Sequence, residues 1–218
     1  IKYSIEEVFK IFPSELQLGF LKFLKGTPVR LKHESHGYKF DPEPPYQIIE
    51  SNFLSAQELH QIAMLEEVLE IYWNKKRAIN TLKYITSKYS IFDFMLGLAQ
   101  YFNAQSDFHK HSLADVYKML SEYTEINYSN DTKLKQLVAI DYYMAHKVKP
   151  QLLFLNEISN EVKQKLIQTK SLNLHKYRYL FFEIDFNFLH FTKHHEVIEE
   201  KNNLIVKYSG TEFAEVLS

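Results

Sequence analysis

An apolar run near the start of the chain constrains the fold most. It extends from Leu16 to Leu24 and is closed by Gly26 and Pro28, which are typical of a turn. Such a run predicts a strand buried on both faces, as in the core of a parallel sheet. The rest of the chain predicts no sheet for it to join. We therefore expect the last strand of a barrel whose other strands are missing, in a chain that begins with Ile1 and is the C-terminal piece of a larger protein.

The composition excludes several classes of function. The chain has no Cys, which excludes disulfides, thiolate catalysis and iron-sulfur ligation by its own residues. Its 26 Lys and Arg nearly balance 27 Asp and Glu, so no overall charge favours nucleic acid or an anionic membrane. No apolar stretch approaches the roughly 20 residues that span a bilayer, and the start does not resemble a signal sequence. We expect a cytoplasmic protein with no nucleic-acid or membrane partner.

Helical periodicity dominates the middle of the chain. Capping boxes predict helix starts at Ser55, with Glu58, and at Ser112, with Asp115. Short connections indicate that neighbouring helices pack antiparallel. We expect a mainly α protein, a bundle of five or six helices within an α+β fold overall. The predicted helices lie within residues 4–12, 55–74, 78–89, 91–102, 112–120, 131–149 and 157–169.

The two ends of the chain differ from this middle. Proline-rich sequence predicts an extended connector over residues 30–52. Aromatic residues that alternate in places over Tyr177–Phe191 predict strands of a small antiparallel unit, with Asn202-Asn203 as a turn between later strands at 195–199 and 204–208. The expected parts are the last helix and strand of a truncated barrel plus connector (1–52), a helical domain (53–170) and a strand-rich appendage (171–218).

Acidic residues offer weak candidates for chemistry. Glu66, Glu67 and Glu70 share one predicted helix, and Glu183 and Asp185 would point the same way from one strand. Solvent-exposed faces explain both groups better than a catalytic pair does. No Gly-x-Ser-x-Gly, phosphate-binding loop or dinucleotide fingerprint is present. No residue is therefore assigned a catalytic or cofactor-binding role.

Asp141 lies on the apolar stripe of its predicted helix, so its carboxylate is expected to point inward and to need a partner. A tyrosine, Arg77 or Lys75 is the predicted partner. A structural hydrogen bond is favoured over a functional acid. On that basis an Asp141→Leu variant is expected to keep the fold, unless a polar network depends on the carboxylate.

Histidines form two groups that invite a search for metal ligands. His190 and His194 have the His-x3-His interval of helical zinc sites, but their segment reads as strand or loop. Surface or capping roles are favoured, and no metal ligand is assigned. A metal-dependent hydrolase built on these groups is the weakest alternative. The groups are Asp107, His109, His111 and Asp115, and His190, His194, His195 and Glu196.

Several segments, taken in order, resemble the C-terminal region of cobalamin-binding radical S-adenosylmethionine proteins. Related labels are magnesium-protoporphyrin monomethyl ester cyclase-like proteins and iron-sulfur oxidoreductases. Each motif is unspecific by itself, and their order carries the resemblance. They are Leu16 to Pro28, Pro44-Pro45-Tyr46, Phe53-Leu54-Ser55, Glu66 to Asn74 and Phe92-Asp93-Phe94.

The resemblance implies a larger parent enzyme. Such proteins have an N-terminal cobalamin domain, a partial (β/α) barrel with a [4Fe-4S] cluster on Cys-x3-Cys-x2-Cys, and a variable C-terminal domain. This chain has neither the cysteines nor the cobalamin region, so no catalytic residue carries over. What carries over is position: Lys22, Lys25 and Arg30 would stand at the mouth of the barrel as substrate-entrance candidates. Ordinary solvated cations are an equally good explanation.

Two classes of function follow. The first is an accessory C-terminal domain that covers or scaffolds the barrel and is inactive alone, while the parent uses S-adenosylmethionine, the cluster and cobalamin. Its partner would be the missing N-terminal barrel of its own protein. The alternative is a helical protein-interaction or oligomerisation module, because apolar surface left exposed also permits self-association.

Overall fold

Helices make up most of the regular structure. A computed structural model describes residues 1–108 and 111–217. The helices are α1 Lys2–Phe9, α2 Pro28–Leu31, α3 Ala56–Leu69, α4 Ile79–Lys88, α5 Ile91–Gln105, α6 Leu113–Asn127, α7 Thr132–Met144, α8 Asn160–Thr169 and α9 Phe188–His194. The strands are β1 Lys39–Phe40, β2 Ile48–Glu50, β3 Arg178–Phe186, β4 Glu199–Tyr208 and β5 Glu215–Leu217.

The helix starts follow the side-chain caps. Ser55 and Glu58 form a reciprocal capping box at α3, and Ser112 and Asp115 form another at α6. Ser90 caps α5 by accepting the amide hydrogen of Asp93. These predicted boundaries are confirmed. The five central helices then pack as a bundle, with α3 on α5, and with α4 and α6 on α7.

The main apolar core extends beyond this bundle. It includes Ile5 and Phe9 of α1 as well as Phe182 of β3 and Val206 of β4. Burial of so many large side chains supplies most of the driving force for folding. A mainly helical α+β fold, as predicted, is therefore confirmed.

The C-terminal sheet has the antiparallel order β3-β4-β5 and carries apolar side chains on both faces. Two predictions within it are wrong. Asn202 and Asn203 do not form a turn but lie inside β4, opposite Ile184 and Glu183. The second wrong prediction is that strand structure continues to Phe191. Helix α9 instead connects β3 to β4; it is capped by Asn187 and ended by His195 in the left-handed conformation. Sequence periodicity cannot separate so short a helix from a strand.

The predicted strand over Leu16–Pro28 is not a regular strand in the structure. The segment is extended, but its only β pairing among the described residues is a bridge between Lys22 and Gln47. Pro28 begins α2 instead of closing a strand. Regular strands need a partner along their length, and only the short stretch around Gln47 supplies one.

None of the helices in the described part of the chain combines the length and the apolar character that a bilayer span requires.

Candidate interaction surface

Residues 13–25, which we call the arm, are fastened to the end of α3. There the helix widens into a π-helical turn over Glu70–Asn74. The Asn74 side chain accepts a hydrogen bond from Leu16 N and donates one to Leu16 O, each at 3.0 Å. The Trp73 indole donates to Pro13 O at 3.0 Å, and Glu70 holds the Asn74 amide at 3.1 Å. The arm therefore leaves the helical body at a fixed point.

One edge of the arm is paired and the other is open. Ile48 N donates to Leu21 O at 2.9 Å, and Phe23 N donates to Tyr46 O at 2.8 Å. This pattern makes Lys22 and Gln47 a non-hydrogen-bonded antiparallel pair. The N–H and C=O groups of Lys22 therefore point away from Gln47. No described residue hydrogen bonds to those two groups. The arm thus presents an unpaired strand edge.

Beyond the arm, residues 28–50 form a small lobe built on aromatic rings. Phe23 is fully buried and stacks on Phe40, with ring centroids 4.5 Å apart. The guanidinium of Arg30 lies 4.9 Å from the Phe40 ring and 4.8 Å from the Tyr46 ring. Its Nη1 also donates to Phe23 O at 2.8 Å. The lobe therefore holds Arg30 in one orientation.

The structure brings two of the three substrate-entrance candidates, Lys25 and Arg30, together. Lys25 Nζ lies 5.8 Å from the Tyr46 ring that Arg30 also contacts. Lys22 pairs with Gln47, the residue after Tyr46. Arg30 is half-buried and structural, whereas Lys22 and Lys25 are exposed. Their proposed role at a substrate entrance stays a prediction.

Large apolar side chains are exposed in the first 53 residues and again over residues 148–213. Leu31 and Phe53 are 76% and 77% exposed, and Leu24 is 52% exposed. By contrast, Ile126 is the one exposed large hydrophobic residue described between Phe53 and Val148. Exposed apolar side chains that form a contiguous patch mark surfaces that bind another protein. The full set in the first 53 residues is Ile1, Tyr3, Ile11, Leu21, Leu24, Leu31, Ile49 and Phe53.

Asp141 is buried, as predicted, but its predicted partners are wrong. Its carboxylate accepts hydrogen bonds from the backbone N–H groups and side chains of Asn80 and Thr81, at 2.7 to 3.3 Å. It therefore caps α4 from a different helix. The signal in the sequence was Ala78, which precedes α4 and cannot cap it. A tyrosine contributes only through the Asp141 backbone carbonyl, which accepts from Tyr117.

The remaining acids do not converge on a reaction site. Glu183 is exposed and pairs with Lys201 at 3.3 Å, while Asp185 accepts from the Gln136 side chain at 3.0 Å. Of the acids on α3, Glu66 is half-buried, and burial together with Glu67 and Glu70 raises its pKa. These contacts are structural.

The second histidine group is split by the fold. The His190 and His194 rings lie 4.4 Å apart on α9, with Glu196 4.0 Å from His190 Nε2. His195 faces the other way and meets Lys83, with 3.5 Å between His195 Nε2 and Lys83 Nζ. Burial, and then Lys83, lower the pKa of His195. The side chain of His195 therefore does not face the point where His190, His194 and Glu196 meet, so the four residues do not form one metal site.

In the first group, His109 lies outside the described residues. His111 contacts the backbone carbonyl of Asp107, and Asp115 is occupied in the capping box of α6. Across the described part of the chain, no three His, Asp or Glu side chains are arranged to hold a metal ion. The metal-dependent hydrolase therefore gains no support from the geometry.

A cleft of about 390 Å³ lies between α4 and the start of β4, lined by Lys88, Lys133 and His195 among others. Its lysines are already neutralised. Lys88 pairs with Asp131 at 2.8 Å and Lys133 with Glu199 at 2.5 Å. The lysines of the cleft therefore do not attract an anionic ligand, and the arm remains the best candidate for a functional surface.

Comparison with known families now places the chain. A family model, described as a protein of unknown function (DUF4080), matches residues 34–208, about four fifths of the chain. The chain belongs to the DUF4080 family. No curated protein and no solved structure matches it. The DUF4080 match contains the Trp73-Asn74 anchor but begins after the arm, so Lys22, Lys25 and Arg30 lie outside it.

Proposed function

We propose that this DUF4080 chain is the accessory C-terminal part of a cobalamin-dependent radical S-adenosylmethionine enzyme. In this proposal it is cytoplasmic, inactive alone, and covers or scaffolds the catalytic barrel. The observation that supports the proposal most is the open edge of the arm at Lys22, between the exposed side chains of Leu21 and Leu24. An edge with unpaired backbone groups binds another strand by continuing its hydrogen-bond ladder.

The chain's own residues do not fit the cluster of such an enzyme. An iron-sulfur cluster of this kind needs thiolate ligands, and this chain has no Cys. The cluster, S-adenosylmethionine and cobalamin therefore belong to the preceding barrel and cobalamin domain in this proposal. No catalytic step is assigned to residues of this chain.

In this proposal the chain contributes by placing residues of the arm beside the barrel. The arm pairs with residues 46–48 through Leu21 and Phe23 and keeps its other edge for the barrel. Residues past the carboxyl end of a barrel strand lie at the mouth of the active site. Lys25 ends the arm and Arg30 follows five residues later, so both would stand near the substrate entrance.

The coding sequence upstream of Ile1 gives the most direct test. We expect the same reading frame to encode Cys-x3-Cys-x2-Cys. An unrelated protein in that frame would rule out the parent enzyme.

Lys22→Pro tests the strand edge in the intact protein. Proline removes the Lys22 N–H, which points to the open side, and leaves the two hydrogen bonds of Leu21 and Phe23 in place. Lys22→Ala is the matched control because it keeps the N–H group. We expect Lys22→Pro to speed amide hydrogen exchange at residues 20–24 about tenfold in the intact protein and Lys22→Ala to change it little. Equal exchange in the two variants would contradict pairing at this edge.

A second copy of the chain could also occupy the open edge, as in a protein-interaction or oligomerisation module. Edge-to-edge pairing of two arms would give a dimer. Light scattering on the intact protein separates the two proposals. A dimer that Lys22→Pro converts to a monomer would favour the oligomerisation module.

A further inference from the structure

Phe12 lies where the chain leaves α1 for the arm, and its ring contacts two basic side chains of the helical body. Its φ is 46°, in the left-handed region that a residue other than glycine keeps only when its surroundings hold it there. The rings of Phe12 and His195 meet edge to face, with centroids 4.8 Å apart. Lys83 Nζ lies 5.3 Å from the centre of the Phe12 ring. The helical body therefore grips the chain immediately before the arm begins.

The two basic side chains also contact each other. Lys83 Nζ and His195 Nε2 are 3.5 Å apart. Because a lysine ammonium can only donate, this contact is favourable when the imidazole is neutral and its Nε2 accepts. The neutral ring then carries its proton on Nδ1, which is buried and has no hydrogen-bond partner among the described residues. A second proton on His195 would have to bind Nε2, directly facing the Lys83 ammonium.

No acidic side chain of the described residues neutralises this pair. Lys83 is half-buried and forms no ion pair with them. The nearest acids in sequence have other partners, since Glu196 lies 4.0 Å from His190 and Glu199 pairs with Lys133. The titratable side chains around His195 are Lys83, Tyr84 and Lys88 on α4, Lys133 on α7, His194 on α9, and Glu196 and Glu199 before and at the start of β4.

We infer that Phe12, Lys83 and His195 form a pH-sensitive latch, which holds the root of the arm, residues 12–16, while His195 is neutral and loosens it when His195 is protonated. Protonation would place two cations side by side in a partly buried site, where they repel strongly. Separating them moves one or both away from the Phe12 ring. The inference does not depend on the proposed function, because all three residues belong to this chain.

The pH range of the latch follows from its histidine. Burial, and then Lys83 and His194, lower the pKa of His195, while a contact with the Phe191 backbone acts in the opposite direction. A histidine released from the latch has its ordinary pKa of about 6.5, so the open state binds the proton more tightly. The latch is therefore fully closed above about pH 6.5 and weakens as the pH falls from there toward the lowered pKa of His195.

Hydrogen exchange at the root of the arm in the intact protein tests the latch. The best reporter is the Leu16 N–H, which donates to the Asn74 side chain. Protection factors, which correct for the intrinsic pH dependence of exchange, are compared at about pH 7.5 and about pH 5.5, on either side of the ordinary histidine pKa. We expect protection of residues 12–16 to fall about fivefold at the lower pH, as for two coupled equilibria.

Four variants separate the latch from other effects of pH. His195→Asn removes the titrating ring and tolerates the left-handed backbone of that position, so the pH dependence should disappear. Lys83→Met removes the charge but keeps a long side chain near Phe12, so the pH dependence should weaken. Lys83→Arg, which keeps the charge, and His194→Asn, which alters the neighbouring histidine, are the matched controls and should retain it.

Each contrary outcome overturns the latch. Equal protection of the wild-type root at the two pH values would show that His195 does not control it. The same pH dependence in His195→Asn as in the wild type would assign the effect to another group. A loss of protection that extends equally to α5 would mean that low pH destabilises the whole fold. If His195→Asn does not fold, the two Lys83 variants decide, because equal pH dependence in Lys83→Met and Lys83→Arg would show that the charge has no part.

Discussion

Asp141 places a carboxylate inside the helical core. It is 5% exposed, and it satisfies the first N–H groups of α4, which has no cap of its own. Burial raises the pKa of Asp141 to about 6, although its hydrogen bonds with Thr81 and Asn80 act in the opposite direction. The residue therefore couples helix capping to pH.

The pH dependence of this contribution has a defined sign. An unfolded aspartate has a pKa of about 3.9, so the folded state holds the proton more tightly. Asp141 therefore stabilises the fold most below about pH 4, and this contribution is lost as the pH rises to about 6. Urea unfolding of the wild type and of Asp141→Asn measures this contribution. We expect the difference between their free energies of unfolding, wild type minus variant, to fall as the pH rises over this range. A constant difference would show that Asp141 has an ordinary pKa.

Asp131 is the N-cap of α7, the helix that contains Asp141, and its pKa is shifted in the opposite direction. Burial alone would raise the pKa of Asp131, but hydrogen bonds from Lys88, Tyr89, Leu134 and Tyr84 hold it below its usual value. Its contribution is therefore present above about pH 4 and lost as the pH falls. The same comparison with Asp131→Asn should give the opposite slope.

The capping of α4 also reverses the expectation for Asp141→Leu. Leucine would leave the buried N–H and hydroxyl of Thr81 without a partner. Each orphaned group costs about 1–3 kcal/mol, so this variant should lose more stability than a simple loss of hydrogen bonds suggests.

At the scale of elements, local sequence predicted the helices well because their caps are local. Ser55, Ser90 and Ser112 each bond to an N–H three residues later, so the sequence contains both partners. The arm depends on distant contacts instead. Asn74 holds Leu16 across 58 residues, and no spacing rule links such positions. For the same reason Lys22, Lys25 and Arg30 could be selected from sequence, but the contact of Lys25 and Arg30 with the Tyr46 ring could not.

Asn74→Ala tests how the arm is held. The variant removes both hydrogen bonds to Leu16 but leaves the helical core intact. We expect cleavage within residues 13–24 by a nonspecific protease to become about tenfold faster, with little change in melting temperature. Asn127→Ala, which removes one bond at the end of α6, is the control and should not change arm cleavage. Unchanged cleavage in Asn74→Ala would mean that other contacts fix the arm.

At the scale of the whole molecule, the chain has an apolar centre outside its main core. Phe23 is fully buried, yet it packs with Phe40 and Tyr38 of the lobe and not with the helical core. The lobe contacts the body chiefly through β2 against α3. Units joined by so few contacts can open without unfolding the rest.

Phe23→Ala should therefore unfold the lobe locally. Truncating a buried phenylalanine costs about 3–5 kcal/mol, which exceeds what a centre of a few rings can lose and remain ordered. We expect amides of residues 21–50 to exchange at the rates of an unfolded chain, while those of α3 to α7 keep their protection. Phe94→Ala, in the main core, should instead lower protection throughout the bundle, because its loss destabilises the global fold. If Phe23→Ala lowers protection in α3 to α7 by the same factor, the lobe and the bundle unfold as one unit, and the arm cannot open or bind independently of the body.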